Sequence, residues 1–318
     1  MNVLRQGFLH AIFSRLSGRG TGGESMQFLG YLISGISLGS VYALIALGYT
    51  MVYGIAKMLN FAHGDVIMIG GYMVYFTFCS RGWNPLLAVL FAMAVCTLLG
   101  ITIERVAYRP LRSAPSLAVL ITAIGVSFLL QNSAMLLWKS DPKSFTSIIS
   151  LPPLSLAGGK LSIPAETIVT IAVSIVIMVV LLWFVNKTRI GHAMKAVSED
   201  RGAAQLMGIN VNGIISLTFA IGSALAAVAG ALLLSSYPTL IPTTGAMPGI
   251  KAFVAAVFGG IGSIPGAFLG GVLLGVIENL SKAYISTQLS DAIVFLVLII
   301  VLLVKPTGLL GKKTAVKV

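Results

Sequence analysis

Leu117 to Trp138, LAVLITAIGVSFLLQNSAMLLW, runs for 22 positions without one charged side chain. At ~1.5 Å rise per residue a helix of that length reaches ~33 Å, enough to cross a hydrocarbon core ~30 Å thick. A second run, Glu166 to Asn186, ETIVTIAVSIVIMVVLLWFVN, has the same character behind its first residue. Strands of a membrane barrel would alternate apolar and polar residues in segments of about 10. These runs do not alternate, so the predicted architecture is all-α, a polytopic transmembrane helical bundle.

Composition supports that class over the whole chain. Of 318 residues, 57% are hydrophobic and only 9% charged, too few charges to cover a water-soluble surface. Apolar segments fall at about 28–55, 64–79, 85–103, 117–138, 166–186, 213–234, 249–280 and 290–304. The net charge of +12 lies mainly in the connections. Without a compact basic domain in which aromatics interleave with Lys and Arg, nucleic acid is not an expected partner. Residues 1–27, 104–116, 187–212 and 305–318 carry fourteen Lys and Arg, against five in the connections at 80–84, 139–165, 235–248 and 281–289. The positive-inside rule therefore predicts the first set, with both termini, in the cytoplasm. The corresponding division is an N-terminal extension 1–27, a transmembrane domain 28–304 and a cytoplasmic tail 305–318. Residues 1–25 read as an added extension or a start assigned too far upstream.

Eight simple crossings cannot put all four basic segments on one side. Two segments must cross an even number of times, and the candidates are 64–79, short for a span, and 249–280, too long for one and broken by Gly259, Gly260, Gly262, Pro265 and Gly266. Each is expected to fold as a re-entrant loop or broken-helix hairpin. Such backbone survives at membrane depth only inside protein or beside a wet cavity, which makes Asn60, His63, Gly64, Asp65, Gly262, Pro265 and Gly266 candidates for the translocation path. Both regions end in a Gly-Gly pair, Gly70-Gly71 and Gly270-Gly271, as a weak internal repeat would. Gly262-x3-Gly266-x3-Gly270 and Gly271-x3-Gly275 read as close helix packing. Of the acids, only Asp65 and Glu278 fall within spans, and Glu278 has a ready partner in Lys282 one turn on. Gln131 and Asn132 read as interhelical hydrogen-bonding groups, and Cys79 and Cys96 as free thiols.

Catalytic signatures are missing. Gly159-Lys160 and Gly311-Lys312 lack the rest of a phosphate-binding loop, and three scattered His residues form no metal cluster. No metal or cofactor is expected in this chain, and ATP hydrolysis, if it drives transport, would belong to another chain. The longest basic connection contains RIGHAMKAVSEDRGAAQLMGIN from Arg189 to Asn210. Its alanines favour helix, Gly208 offers a stop, and Ala193, Ala196, Val197, Ala204 and Met207 mark an apolar face suited to docking on a partner.

Several motifs together resemble the shorter permease type of bacterial branched-chain amino acid ABC importers. They are Gly39-Ser-Val-Tyr-Ala-Leu-Ile-Ala-Leu-Gly-Tyr-Thr-Met-Val-Tyr-Gly54, Asn60-Phe-Ala-His-Gly64, Glu104-Arg-Val-Ala-Tyr-Arg-Pro-Leu-Arg112, Gly259-Gly-Ile-Gly-Ser-Ile-Pro-Gly266 and Pro306-Thr-Gly308. The resemblance runs from about Gly35 to Gly311. It implies a bacterial inner-membrane complex of two permease chains, two cytoplasmic ATPase subunits and a periplasmic solute-binding protein delivering leucine, isoleucine or valine. It also implies that the loop with Gly191, Ala193, Ala196, Glu199, Asp200, Ala203 and Gly208 is the ATPase-coupling loop. Related permeases for urea or short amides share the layout, and an ion-coupled secondary transporter is the main rival. A passage largely free of buried charge is expected, with selectivity in the separate binding protein.

Overall fold

The computed structural model describes residues 23–156 and 161–311; residues 1–22, most of the expected N-terminal extension, and 312–318 of the tail lie outside them. The chain forms α1 (Gly23–Ala56), α2 (His63–Val74, prolonged by a π turn Tyr75–Cys79), α3 (Pro85–Ile103, prolonged by a π turn Glu104–Tyr108 and a 3-10 turn Arg109–Leu111), α4 (Ser116–Trp138) and α5 (Ala165–Lys187). Two short helices follow, α6 (Arg189–Glu199) and α7 (Arg201–Leu206), then α8 (Val211–Ser236), α9 (Ala246–Gly259), α10 (Ile264–Tyr284) and α11 (Ser290–Val304). Polar side chains start many of them. Asn84, Thr188, Asp200, Asn210 and Ser263 each accept a hydrogen bond from a backbone N–H of the first turn of α3, α6, α7, α8 and α10, supplying partners that the helix itself cannot.

Among the described residues six helices, α1, α3, α4, α5, α8 and α10, are long and apolar enough to cross a membrane, and α9 and α11 are shorter apolar helices. α1 is the axis: it is buried from Ser37 to Val52 and packs along α10, α8, α9 and α5. α4, α5 and α11 lie outside and present Leu136, Val179, Trp183 and Leu303 outward, as suits a surface solvated by lipid. The predicted glycine rows are packing rows. A Cβ on Gly275 would lie 2.1 Å from the Gly39 nitrogen of α1, and one on Gly270 would lie 2.2 Å from the Ala255 carbonyl of α9. α10 is thus held between two helices at backbone contact. Two small antiparallel pairs complete the fold, β1 (Lys143–Ser144) with β4 (Thr239–Leu240), and β2 (Leu154–Leu156) with β3 (Leu161–Ile163).

The ends of the helices define two faces. On the basic face lie the end of α1, where the Arg201 guanidinium donates to the Ala56 carbonyl, and the 306–310 segment, where Leu309 and Leu310 donate to Phe258 and Gly259. On the far face, Tyr31 of α1 meets Tyr284, and the start of α1 shares a cavity with Pro164 and Tyr237.

The segment 249–280 is broken at Gly260–Ser263, and its halves α9 and α10 pack antiparallel as a helical hairpin. The expected hairpin at 64–79 is not formed. α2 is one helix from His63, beside Tyr49 of α1, to Cys79, whose thiol reaches Thr146 in the far-face connection. It is short because it begins within the bundle, after residues 57–62 turn back beneath α1. The start of α1 lies at that far face, where Tyr31 meets Tyr284, and Leu310 lies at the basic face against Gly259.

Candidate functional site

The candidate path residues form two groups, both against the last turns of α1. In the first, Lys57 ends α1 with φ 53 and the chain turns back. Asn60 is buried and its side-chain oxygen accepts the Tyr108 hydroxyl at 2.9 Å. His63 lies edge-on to Tyr49 with ring centroids 4.8 Å apart, and its ring fills the space over Gly48, where a Cβ would come within 2.4 Å of Nε2. Among the described residues that Nε2 has no hydrogen-bond partner. Gly64 crosses Gly245 and Gly249 backbone to backbone, with 2.5 Å from a Gly64 Cβ to the Gly245 oxygen. Asp65 is buried and accepts Gln131 Nε2 at 2.9 Å, so Gln131 does bridge helices. Asn132 does not: it bonds the Phe128 carbonyl of its own helix and is exposed.

The second group is the turn between α9 and α10. Gly260 and Gly262 have φ of 106° and 93°, a backbone region that side chains disfavour. Ser263 accepts from the Gly266 nitrogen at 3.2 Å, Pro265 occupies the first turn of α10, and Gly266 leaves room for the Gly259 carbonyl. A Cβ on Gly54 would lie 3.3 Å from Gly262 Cα. The two groups are therefore joined through α1, His63 at Gly48 and Gly262 at Gly54.

The loop at 189–208 is two helices, because Asp200 is extended and caps α7 by accepting the Ala203 nitrogen at 3.0 Å. Gly208, at φ 81°, ends α7 as expected, with Ile209 donating back to Ala204. The apolar face faces differently from the expectation. Gly191, Met194, Val197 and Ala204 are buried against the bundle, Ala193 and Ala196 are half-buried, and Glu199, Asp200 and Ala203 are exposed. Leu206 and Met207, 90% and 82% exposed, are the apolar side chains of the loop that protrude furthest. A cavity of about 130 Å³ lies between α6 and the α9–α10 turn, lined by Met194, Lys195, Gly54, Gly262 and Ile264. A larger one, about 720 Å³, opens beside Lys57, Arg112, Asp200 and Arg201.

Two charged networks exceed what the sequence led us to expect. Glu104, fully buried, pairs with Arg112 and accepts the Ser216 hydroxyl at 2.5 Å, while Arg112 also donates to Asn212. The second centres on Glu278, 1% exposed. It takes Lys282 at 2.6 Å as expected, but also Lys251 at 2.8 Å and the Tyr42 hydroxyl at 2.9 Å, and Lys251 in turn reaches Asp291 at 2.6 Å. The interior thus holds more charge than the scarcity of acids within the spans suggested. The available signal was Lys251 itself, a lone lysine inside an apolar run. Among the described residues no group of three His, Cys, Asp or Glu is placed to hold a metal ion.

The five motifs meet in space. Tyr108 of the third bonds Asn60 of the second; His63 of the second packs on Gly48 and Tyr49 of the first; Gly262 of the fourth approaches Gly54 of the first; and Gly308 of the fifth covers Gly260. Residues 31–302 match the family model described as branched-chain amino acid transport system / permease component. The chain is 45% identical over 305 residues to the high-affinity branched-chain amino acid transport system permease protein LivH of Escherichia coli, covering 93% of this chain and 99% of that protein. It is also 45% identical over 308 residues to the permease protein BraD of Pseudomonas aeruginosa, with the same coverage. A probable branched-chain amino acid transport permease LivH of Methanocaldococcus jannaschii is 28% identical over 303 residues, covering 91% of this chain and 93% of that protein.

Proposed function

Since the chain belongs to the permease component family of branched-chain amino acid transport systems and is a multi-pass membrane protein, we propose that it carries leucine, isoleucine and valine across the bacterial inner membrane as one permease subunit of an ATP-driven importer. ATP is hydrolysed by two separate cytoplasmic ATPase subunits, a second permease chain completes the passage, and a periplasmic binding protein delivers the solute. The chain itself needs no cofactor. The observation that carries this reading is the convergence of all five motifs on the last turns of α1, directly above α6.

That arrangement supplies a mechanical path. α6 packs on α1, and Gly54 near the end of α1 lies against Gly262, so a push on α6 and α7 from an ATPase bears on the α9–α10 turn through the end of α1. Interiors close-packed at backbone contact transmit such displacement rather than absorb it. Gly191, Ala193, Ala196, Glu199, Asp200, Ala203 and Gly208 are assigned to coupling, with Leu206 and Met207 as the protruding contact. Asn60, His63, Gly64, Asp65, Gly262, Pro265 and Gly266 frame the moving elements around the path. The cytoplasm lies at the basic face.

Uptake of labelled leucine into vesicles, with ATP supplied and the proton gradient collapsed, tests the assignment. Full uptake is expected; uptake that follows the proton or sodium gradient instead would establish the ion-coupled rival, and uptake of urea or short amides in preference would change the solute. In the same assay Ala203→Arg, on the exposed side of α7, is expected to abolish uptake while leaving membrane insertion intact, and undiminished uptake would remove the coupling role.

A further inference from the structure

At the basic face the groove between α3 and α8 holds a cavity that the coupling scheme leaves unused. It measures about 510 Å³, within the roughly 300–1,000 Å³ common for small-molecule sites. The two helices pack along each other, and the cavity lies where their ends reach the basic face. Arg109, Arg105 and Ile101 line it from α3 and the two turns that prolong it, four residues apart and so on one side of a helical path. Asn210, Asn212 and Gly213 line the other wall at the start of α8, with Ser216, Leu217 and Ala220 further along that helix.

The charge of this lining has one sign. No acidic side chain lines the cavity, and among the described residues neither Arg105 nor Arg109, both exposed, has an ion-pair or hydrogen-bond partner. The neighbouring acceptors are already engaged. The Asn210 side-chain oxygen accepts the Gly213 nitrogen at 3.0 Å, the Asn212 oxygen accepts from Arg112, and the Ser216 hydroxyl donates to Glu104 at 2.5 Å. Glu104 lies buried behind that wall, and its charge is met by Arg112. An incoming group therefore finds two uncompensated guanidinium groups and the N–H donors of two side-chain amides, which suits a phosphate better than any cation. Deeper in the bundle the groove turns apolar at Ile101, Leu217 and Ala220, and the adjoining outer side of α3 exposes Leu98 and Val106. Its occupant needs an anionic head at the basic face and a hydrocarbon part directed into the membrane.

We propose that the groove between α3 and α8 binds one anionic phospholipid from the leaflet at the basic face. The phosphate diester takes Arg105 and Arg109 together with the amide donors of Asn210 and Asn212, and the first carbons of an acyl chain lie over Ile101 and Leu217. Basic pockets between membrane helices hold anionic headgroups in this way. A zwitterionic lipid carries a cation beside its phosphate; here that cation would stand between two arginines with no carboxylate in the lining to receive it, so the site discriminates by charge. A lipid held there fastens the end of α3 to the start of α8, the helix that follows the coupling loop.

The full chain, purified in a neutral detergent and titrated with lipid, provides the test, with bound lipid counted by native mass spectrometry. One phosphatidylglycerol per chain is expected to bind about ten-fold more tightly than phosphatidylcholine with the same acyl chains. Arg105→Gln combined with Arg109→Gln, at exposed positions without partners among the described residues, is expected to remove that preference. Arg81→Gln combined with Lys139→Gln, which removes two exposed cations from the far-face connections, is expected to keep it. Equal binding of the two lipids, a preference that survives loss of Arg105 and Arg109, or one lost equally in the far-face pair would overturn the proposal. Inorganic phosphate at millimolar concentration separates the two sources of phosphate: it is expected to leave the lipid bound, and displacement would make this a site for free phosphate instead. The same count on the complete transporter is expected to find the lipid retained. Its absence there would show that a neighbouring subunit covers the groove, and the lipid assignment would fall.

Discussion

Two of the buried carboxylates, Glu104 and Glu278, occupy opposite ends of the bundle and are satisfied in opposite ways. Glu104 finds its cation eight residues on, in Arg112, because a π turn and a 3-10 turn fold that short stretch back on itself. Glu278 gathers partners from three helices, its own among them, with Lys251 27 residues away and Tyr42 236 residues away. The first is a local device that pins α3 to α8 at the basic face, and Arg112 keeps some access to water. The second exists only when the whole far side has assembled. Local ion pairs can fasten a face in place, whereas an ion pair drawn from several helices changes whenever those helices move.

The sharpest way to break the contrast is to remove the carboxylate from the distributed network alone. Glu278→Ala leaves the Lys251 ammonium buried with Asp291 as its remaining partner, and a loss of about 3 kcal/mol is expected, read as a lowered midpoint of thermal unfolding in detergent. Glu104→Ala should cost less, about 2 kcal/mol, because Arg112 retains Asn212 and part of its exposure. A loss equal to or larger than that of Glu278→Ala would erase the distinction. Tyr108→Phe, which removes only the neutral bond to Asn60, is expected to cost about 1 kcal/mol. Asn132→Ala, whose amide bonds only its own helix, is expected to stay within about 0.5 kcal/mol and sets the baseline.

What could be read from the chain follows the same division. Apolar runs, the glycine rows and the break at Gly260–Ser263 depend on neighbouring residues, and each appears where periodicity and composition place it. The Glu278–Lys282 contact, one turn apart, was equally open to view. Lys251 was not, since its significance depends on three helices that only the tertiary fold brings together. α2 misled for a related reason: 64–79 looks too short for a span when measured alone, and only the turn at residues 57–62 beneath α1 lets this short helix start within the bundle and reach the far face unbroken. Met207 stood on the expected docking face and does protrude, whereas Leu206 was hidden by the break at Asp200, where α6 ends and α7 begins, and Ala204 turns inward.

The Pro306-Thr307-Gly308 segment fastens the α9–α10 hairpin from outside, with Leu309 and Leu310 donating to the open carbonyls of Phe258 and Gly259. A ribosome delivers those donors some fifty residues after the carbonyls they satisfy. The nascent hairpin therefore waits with its turn unsealed while α10 and α11 are made, and the last described stretch of chain acts as the closing stitch of the membrane domain.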